Sequence, residues 1–141
     1  MNQLLSCLRA VAEPTRLRLL SLCAEGDMTV SELTQILGQS QPRVSRHLKL
    51  LCDAGVLDRF REGSWVFYRL VDDNVASGGV ARQLVALIPE DDIQRAIDRR
   101  LLSEIKQARA AEAEAYFTAN AAQWDRIRSF HVDESDVEKA L

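Results

Sequence analysis

The segment from residue 40 to residue 49, "SQPRVSRHLK", concentrates basic and hydrogen-bonding side chains and contains no acid. It combines two serines, a glutamine, two arginines, a histidine and a lysine in a chain whose formal net charge is −3. The major groove of DNA presents hydrogen-bond acceptors on its base edges, and phosphates line its walls. These residue types therefore predict contact with DNA. The alternative is a solvated helix face, which would normally mix acids with bases, as the later helices here do.

An amphipathic helix would hold these side chains on one surface. Val44, Leu48 and Leu51 recur at the i, i+4, i+7 spacing of a helix face that packs against a core. Ser40 is predicted to cap this helix, and His47, beside Leu48, is interpreted mainly as a packing and hydrogen-bonding residue. The side chains predicted to contact DNA from this helix are Ser40, Gln41, Arg43, Ser45, Arg46 and Lys49.

Two short runs after this helix, "VLDRF" and "WVFYRL", are rich in β-branched and aromatic residues and are joined by "REGS". This pattern is typical of a β-hairpin with a glycine turn. Arg59 and Arg61 lie near its tip, where they could reach a phosphate or the minor groove. Trp65, Phe67 and Tyr68 are expected to pack at least one face of the hairpin onto the helices.

Helices must also position these two elements. The sequence predicts helices over residues 1–12 and 12–26, with Pro14 in the first turn of the second. A third helix over 28–38 has Thr29 or Ser31 as its cap and ends at Gly38. Gly78 and Gly79 are interpreted as part of a polar connector. A last helix is predicted from Pro89 to about residue 122.

Helix, helix, short turn, helix and basic-tipped hairpin are arranged as in a winged helix-turn-helix. We therefore predict a mainly α fold with a small β-hairpin. The DNA-binding domain is expected over residues 1–75, the C-terminal dimerisation helices over 76–122, and a linker-like tail over 123–141. An apolar stripe on the last helix predicts pairing with a second subunit. Its residues are Ile93, Ile97, Leu101, Ile105 and Ala108.

Length, charge and cysteine content narrow the class of protein. The 141 residues suffice for one compact domain and little more, and no run approaches the roughly 18 apolar residues of a membrane span. The N-terminus lacks the features of a signal peptide, so a cytoplasmic protein without a membrane partner is expected.

The charge is distributed unevenly along the chain. Residues 1–70 hold nine Lys and Arg against seven Asp and Glu, whereas residues 71–141 hold nine Lys and Arg against fourteen Asp and Glu. A more basic first half fits contact with nucleic acid by that half. Cys7, Cys23 and Cys52 lie within apolar runs and are interpreted as reduced core or interface thiols.

The segments "EPTRLRLL", "TVSELTQILGQSQPRVSRHLKLLCDAGVL" and "REGSWVFYRL" closely resemble the ArsR/SmtB family of bacterial repressors, over roughly residues 5–72. The resemblance implies a homodimer joined through its first and last helices and bound to a palindromic operator. It also implies that an inducer releases the DNA.

The inducers best known for this family are metal ions, but the matching ligands are absent. The arsenic and cadmium sensors carry a Cys-Val-Cys-Asp run on the third helix, where this chain has "TVSE" at residues 29–32. The zinc sensors use Asp and His on the final helix, whereas this helix offers carboxylates and no histidine before His131. Zinc and arsenite favour sulfur and imidazole, so no metal site and no cofactor are predicted. The acids Asp91, Asp92, Asp98 and Glu104 are interpreted as a solvated face.

The tail resembles the segment that leads into a fused S-adenosylmethionine-dependent methyltransferase domain in a subgroup of this family. The matching residues are Tyr116, Phe117, Asn120, Ala121, Trp124, Asp125, Arg128, Val137 and Glu138. If a further domain exists, the resemblance makes S-adenosylhomocysteine or S-adenosylmethionine the candidate inducer. No glycine-rich nucleotide loop follows a predicted strand, and the sequence shows no catalytic set, so we predict a regulator and not an enzyme. The alternatives are the N-terminal regulatory part of such a methyltransferase, a thiol-based redox or metal sensor, or a dimerisation module.

Overall fold

The computed structural model describes residues 1–72 and 76–130, with side chains over residues 1–72 and 79–116. The elements in chain order are α1 (Asn2–Val11), α2 (Pro14–Ala24), β1 (Met28–Thr29), α3 (Val30–Leu37), α4 (Gln41–Asp53), β2 (Leu57–Glu62), β3 (Trp65–Leu70), α5 (Ala76–Ala86) and α6 (Ile93–Phe130). The chain divides into one compact unit over residues 1–103 and a second that begins at Glu104. The mainly helical fold with a small antiparallel sheet is the predicted winged helix-turn-helix class.

Local capping fixes where the first helices begin and end. Glu13 is the N-cap of α2, its carboxylate accepts a hydrogen bond from the Arg16 amide at 2.8 Å, and Pro14 occupies the first turn. Thr29, not Ser31, caps α3 and forms a capping box with Glu32. Gly38 ends α3 in the left-handed region, at a φ of 66°, which glycine adopts without steric cost.

The core of the first unit lies between α2, α3, α4 and the sheet. The predicted inner face of α4 is confirmed, because Val44, Leu48 and Leu51 are fully buried. They pack in a layer with aliphatic residues from the other elements, which a small helical domain needs to offset the entropy of folding. The fully buried side chains from those elements include Leu19, Leu20, Met28 and Leu33, and Val56, just before β2, is also fully buried.

The sheet contains a strand that local patterning did not predict. Its order is β1-β3-β2, with Met28 opposite Tyr68 and Thr29 opposite Phe67. The two-residue strand β1 is defined by antiparallel pairing with β3, about forty positions later in the chain. No periodicity within residues 28–29 could indicate it. The predicted hairpin is confirmed, and it turns at Gly63 and Ser64, between Glu62 and Trp65.

Two predictions for the C-terminal half were wrong. Gly78 and Gly79 belong to helix α5 and not to a connector. Gly is a weak helix former, but tertiary packing of the α5 residue Ala81, which is fully buried, overrides that preference. Helix α6 starts at Ile93, not Pro89, and continues to Phe130, past the expected end near residue 122. The tail residues 131–141, including His131, lie outside the described residues.

At the start of α6, Asp98 differs from expectation, and the first residues of the apolar stripe are left uncovered by the single chain. Asp98 is buried and not solvated. Its carboxylate accepts hydrogen bonds from the Arg18 guanidinium at 2.9 Å to each oxygen, and from the Gln94 amide at 3.0 Å. Ile93 and Ile97 of the predicted stripe are exposed, whereas their neighbour Leu102 is buried.

Candidate nucleic-acid interface

Helix α4 exposes the polar face that its sequence predicts. Gln41, Arg43, Arg46 and Lys49 are exposed, and Ser45 is half-buried. Arg43 and Arg46 make no hydrogen bond or ion pair with any residue that the structure describes. The five N–H donors of each guanidinium are therefore available to an external acceptor.

Two residues of this face differ in detail from the predictions. Ser40 occupies the N-cap position of α4, but its side chain makes no capping hydrogen bond. The Lys49 ammonium lies 3.7 Å from the Asp53 carboxylate, one turn along the helix, and both side chains are largely exposed. An exposed i, i+4 pair of this kind contributes only about 0.3–0.5 kcal/mol, so Lys49 remains free to exchange Asp53 for a phosphate.

His47 anchors α4 to α2, in keeping with its predicted packing role. Its Nδ1 lies 3.3 Å from Nη1 of Arg16 and 3.9 Å from the Glu13 carboxylate. The Arg16 guanidinium also donates through Nε to the Ala10 carbonyl. Burial alone would raise the pKa of Glu13, but amide hydrogen bonds from Arg16 and Thr15, with the charges of His47 and Arg16, outweigh it and lower that pKa. The carboxylate therefore stays ionised and holds the cluster together.

The turn between α3 and α4 is held by a contact that sequence reasoning missed. Gln39 donates through Nε2 to the hydroxyl of Thr15, a buried residue of α2, at 3.2 Å. The contact joins positions 24 residues apart, so no local spacing could indicate it. Together with Gly38, it fixes the direction in which α4 leaves the turn.

The wing, strands β2 and β3, has two chemically different faces. Arg59 pairs with Tyr68 and Arg61 with Val66, and these residues share a face because alternate strand residues point the same way. Asp58 and Glu62 lie on the opposite face by the same rule. The two predicted DNA-contacting arginines are therefore brought together, and the acids of the same strand are turned away from them.

Aromatic packing stiffens the acidic face of the wing. The Phe60 and Phe67 rings stack with centroids 5.5 Å apart, and the Arg69 guanidinium lies 4.5 Å from the Phe60 centroid. Trp65 shares this face but remains 61% exposed. Tyr68 lies on the other face, half-buried beside Met28. The expectation that one aromatic face packs onto the helices therefore holds for Tyr68, and not for Trp65.

The cysteines are free thiols in apolar surroundings. Cys7 and Cys23 are buried, and Cys52 is half-buried. Burial raises the pKa of Cys23, with further contributions from Cys52 and Asp27. Burial also raises the pKa of Cys52, reinforced by the nearby acids Asp53 and Asp58 and opposed by Arg59. Because the thiolate is the reactive form, these environments disfavour thiol chemistry.

Neither a metal-binding cluster nor a membrane-spanning helix is present among the described residues. Within residues 1–72 and 79–116, no three His, Cys, Asp or Glu side chains cluster in a way that could hold a metal ion. None of the described helices combines the length and the apolar character that crossing a bilayer requires.

Comparison with known proteins places these elements in a common framework. A family model described as "Bacterial regulatory protein, arsR family" matches residues 13–59, from α2 into the wing. The chain is 39% identical over 83 residues to an uncharacterized HTH-type transcriptional regulator of Methanocaldococcus jannaschii, a match that covers 58% of this chain and 86% of that protein. It is 36% identical over 86 residues to a biofilm growth-associated repressor of Agrobacterium fabrum, covering 61% and 74% of the two chains.

A solved structure gives the same result for the fold. It is the homodimeric winged helix-turn-helix DNA-binding domain of a possible ArsR-family regulator from Mycobacterium bovis. It superposes with a TM-score of 0.54 at 27% sequence identity, over 61% of this chain and 75% of the other.

Proposed function

The chain belongs to the arsR family of bacterial regulatory proteins, and we propose on that premise that it is a DNA-binding transcriptional repressor acting as a homodimer on an operator. The observation that carries the proposal is the surface formed by α4 and the wing. We call it the basic surface, and it comprises Gln41, Arg43, Ser45, Arg46, Lys49, Arg59 and Arg61. Arg43 and Arg46 have no partner among the described residues, and the wing acids Asp58 and Glu62 point away.

Within this surface, α4 enters the major groove. Gln41 and Ser45 read base edges, while Arg46 and Lys49 hold phosphates or a guanine. Arg59 and Arg61 reach the backbone or the minor groove beside it. The exposed Ser40 hydroxyl, which makes no capping bond, is available to a phosphate. A protein whose partner is the bacterial chromosome acts in the cytoplasm, where we place it.

The homodimer is proposed to form through α1 and the last helix. Leu4, Leu5 and Leu8 of α1 are between a third and half exposed in the single chain, and Ile97 is similarly exposed. Exposed apolar residues that repeat along a helix mark a contact surface. The homodimeric Mycobacterium bovis domain supports a homodimer, and the choice of helices rests on the exposed apolar residues.

Selection from a randomised pool of DNA duplexes tests the proposal without knowledge of the operator. The chain should enrich a sequence with two inverted half-sites, because a two-fold symmetric dimer binds a symmetric site. Fluorescence anisotropy on that duplex should show affinity falling steeply with salt, since phosphate contacts release counterions. If no sequence is enriched, or if the affinity does not depend on salt, the proposal is wrong.

We further propose that metal ions are not the inducer and that the tail marks the subgroup described above. The first proposal is supported by the segment "TVSE", which stands where the arsenic and cadmium sensors carry Cys-Val-Cys-Asp. The second is supported by the resemblance of residues from Tyr116 to Glu138 to the segment that leads into a methyltransferase domain. Because no glycine-rich nucleotide loop follows a predicted strand, we propose that this chain itself does not bind S-adenosylhomocysteine. Micromolar zinc, cadmium or arsenite should leave operator binding unchanged, and calorimetry of the chain with S-adenosylhomocysteine should show no binding. If a metal releases the DNA and this release is lost in Cys→Ser variants, the proposal that metals are not the inducer is wrong. If S-adenosylhomocysteine binds this chain at micromolar concentration, the proposal that this chain does not bind the metabolite is wrong.

A further inference from the structure

A cleft on the side chains of α1, α2, α5 and the start of α6 has the size and chemistry of a small-molecule site. Its volume is about 620 Å³, within the range of roughly 300–1,000 Å³ that is typical of ligand pockets. Its wall is mainly aliphatic and includes Val11, Leu17, Leu84 and Ile88. Leu8, which also lines the cleft, belongs to the α1 surface proposed above for the homodimer. All of these residues belong to the first compact unit.

The polar residues of the wall are Arg18, Ser21, Asp92, Gln94, Arg95 and Asp98. The Asp92 carboxylate accepts a hydrogen bond from the Arg95 amide at 2.8 Å. Arg18 and Asp98 line the cleft as the bidentate pair described above, so the Asp98 charge is already compensated. Arg95 also lines it, and its Nη1 donates to the Ile88 carbonyl at 2.7 Å. The Nε–H of Arg95 is buried and has no hydrogen-bond partner among the described residues. A buried donor of this kind costs free energy unless an acceptor satisfies it.

We propose that this cleft binds an amphipathic organic anion, an aliphatic body with a carboxylate or a similar acceptor, and that the Arg95 Nε–H donates to its charged end. The aliphatic wall would take the body of the ligand out of water. The unpaired donor belongs to a cationic guanidinium, which favours an anionic acceptor at that position. This class of ligand differs from the methyl-cycle metabolites considered for the tail.

The cleft is connected to the basic surface through α2. Leu17 and Arg18 line the cleft, while the adjacent Arg16 reaches Nδ1 of His47 on α4. A ligand shifts DNA affinity only by binding more tightly to one of two conformations. A ligand that displaces α2 on binding would therefore change the affinity for DNA, because α2 both lines the cleft and contacts His47 of α4 through Arg16. This regulatory step rests on the proposed function, whereas the binding step does not.

Calorimetry with sodium decanoate tests the binding step. Decanoate should bind once per chain, and decyltrimethylammonium, with the same chain length and the opposite charge, should bind at least about tenfold more weakly. Arg95→Leu should weaken decanoate binding by a similar factor, whereas Arg100→Leu, an exposed arginine of the same helix outside the cleft, should leave it unchanged. Circular dichroism checks that both variants fold, and the ammonium control needs no variant at all.

Several outcomes would overturn the proposal. These are the absence of decanoate binding, equal binding of the two surfactants, or equal effects of the two substitutions. Sedimentation measures how dimerisation depends on chain concentration. If decanoate binding disappears as the chain dimerises, a second copy of the chain covers the cleft instead of a ligand.

The DNA readout separates this proposal from the proposed function. Saturating decanoate should change the affinity of the wild-type chain for its selected duplex and leave Arg95→Leu unaffected. If decanoate binds but DNA affinity does not respond, the regulatory step is wrong while the repressor function stands. If no duplex is selected at all, the repressor function fails, and calorimetry still decides whether the cleft binds an anion.

Discussion

Two groups of arginines in the first compact unit have opposite environments. Arg18 and Arg99 each reach a carboxylate at 2.9 Å, on Asp98 and Glu25 respectively. On the basic surface, Arg43 and Arg46 make no hydrogen bond or ion pair among the described residues. The first group joins α2 and its C-terminal end to α6, whereas the second group contributes nothing visible to folding.

The position of an arginine in this fold decides whether it stabilises the chain or remains available to a ligand. Asp98 is buried, and a buried carboxylate requires compensation, so Arg18 is fixed in place by the cost of leaving that charge alone. Arg43 and Arg46 lie in the part of α4 up to Lys49, which contains no acid. Water solvates their charges until the phosphates of a polyanion displace that water.

Removing the buried carboxylate should give the largest effect on stability. Asp98→Ala leaves Arg18 without its partner and is expected to lower the free energy of unfolding by about 3 kcal/mol. The paired change Arg18→Met with Asp98→Leu should recover most of that loss, since neither charge is then buried alone. Urea unfolding measures both. Arg46→Ala is the control and should change stability by at most about 0.5 kcal/mol, so a comparable loss there would remove the contrast between the two groups.

The basic surface should show the reverse pattern, with binding affected and stability preserved. Arg46→Ala and Gln41→Ala should each weaken operator binding by roughly 1–3 kcal/mol in free energy. Gln41→Ala should also relax the preference for the base it contacts, because an amide pairs with base edges and not with phosphates alone. Anisotropy titrations against the selected duplex and single-base variants give both quantities. Unchanged affinity in both variants would contradict the assignment of α4.

The wing should contribute affinity without sequence preference. Arg61→Ala is expected to lower affinity for all duplexes alike and to reduce the slope of log affinity against log salt by about one unit. Glu62→Gln, on the opposite face of the same strand, is the matched control and should have little effect on either quantity. A loss confined to one operator sequence would mean that Arg61 reads bases.

The smallest effect is expected at the Glu13 cap, and it depends on pH. The pKa of Glu13 is lowered in the folded chain, so the stability it contributes is present above its ordinary pKa and is lost as pH falls through the lowered value. Glu13→Gln should therefore cost about 0.3–1 kcal/mol at neutral pH. Urea unfolding of both proteins should show this difference shrinking in acid. A difference that does not change with pH would assign the effect to packing instead of charge.

The elements of the DNA-facing half could be predicted because their signals are local. The i, i+4, i+7 repeat of Val44, Leu48 and Leu51 fixes the buried face of α4, and the exposed face follows by subtraction. The helix end at Gly38 and the hairpin turn at Gly63 are likewise indicated by the sequence, because both positions need a positive φ and glycine is the residue that adopts it most readily. The placement of Arg59 and Arg61 on one face needs only the two-residue period of a strand.

The missed features all depend on contacts between distant positions. The Arg18–Asp98 pair joins residues 80 positions apart, and strand β1 exists only through β3. The Arg95 cleft needs four helices to assemble before its unpaired donor is defined. Predicting any of these requires the tertiary fold first, so the sequence alone indicated a solvated acidic face where a buried ion pair lies.

The two-faced wing also restricts how related sequences can diverge. Because side chains alternate along β2, inserting a single residue between Leu57 and Asp58 would turn Arg59 and Arg61 to the far side and present Asp58 and Glu62 to the polyanion. One such insertion would reverse the electrostatic polarity of the hairpin without changing any of its charged residues. We therefore expect homologous hairpins to differ in length at the turn around Gly63, where added residues leave the alternation of both strands intact.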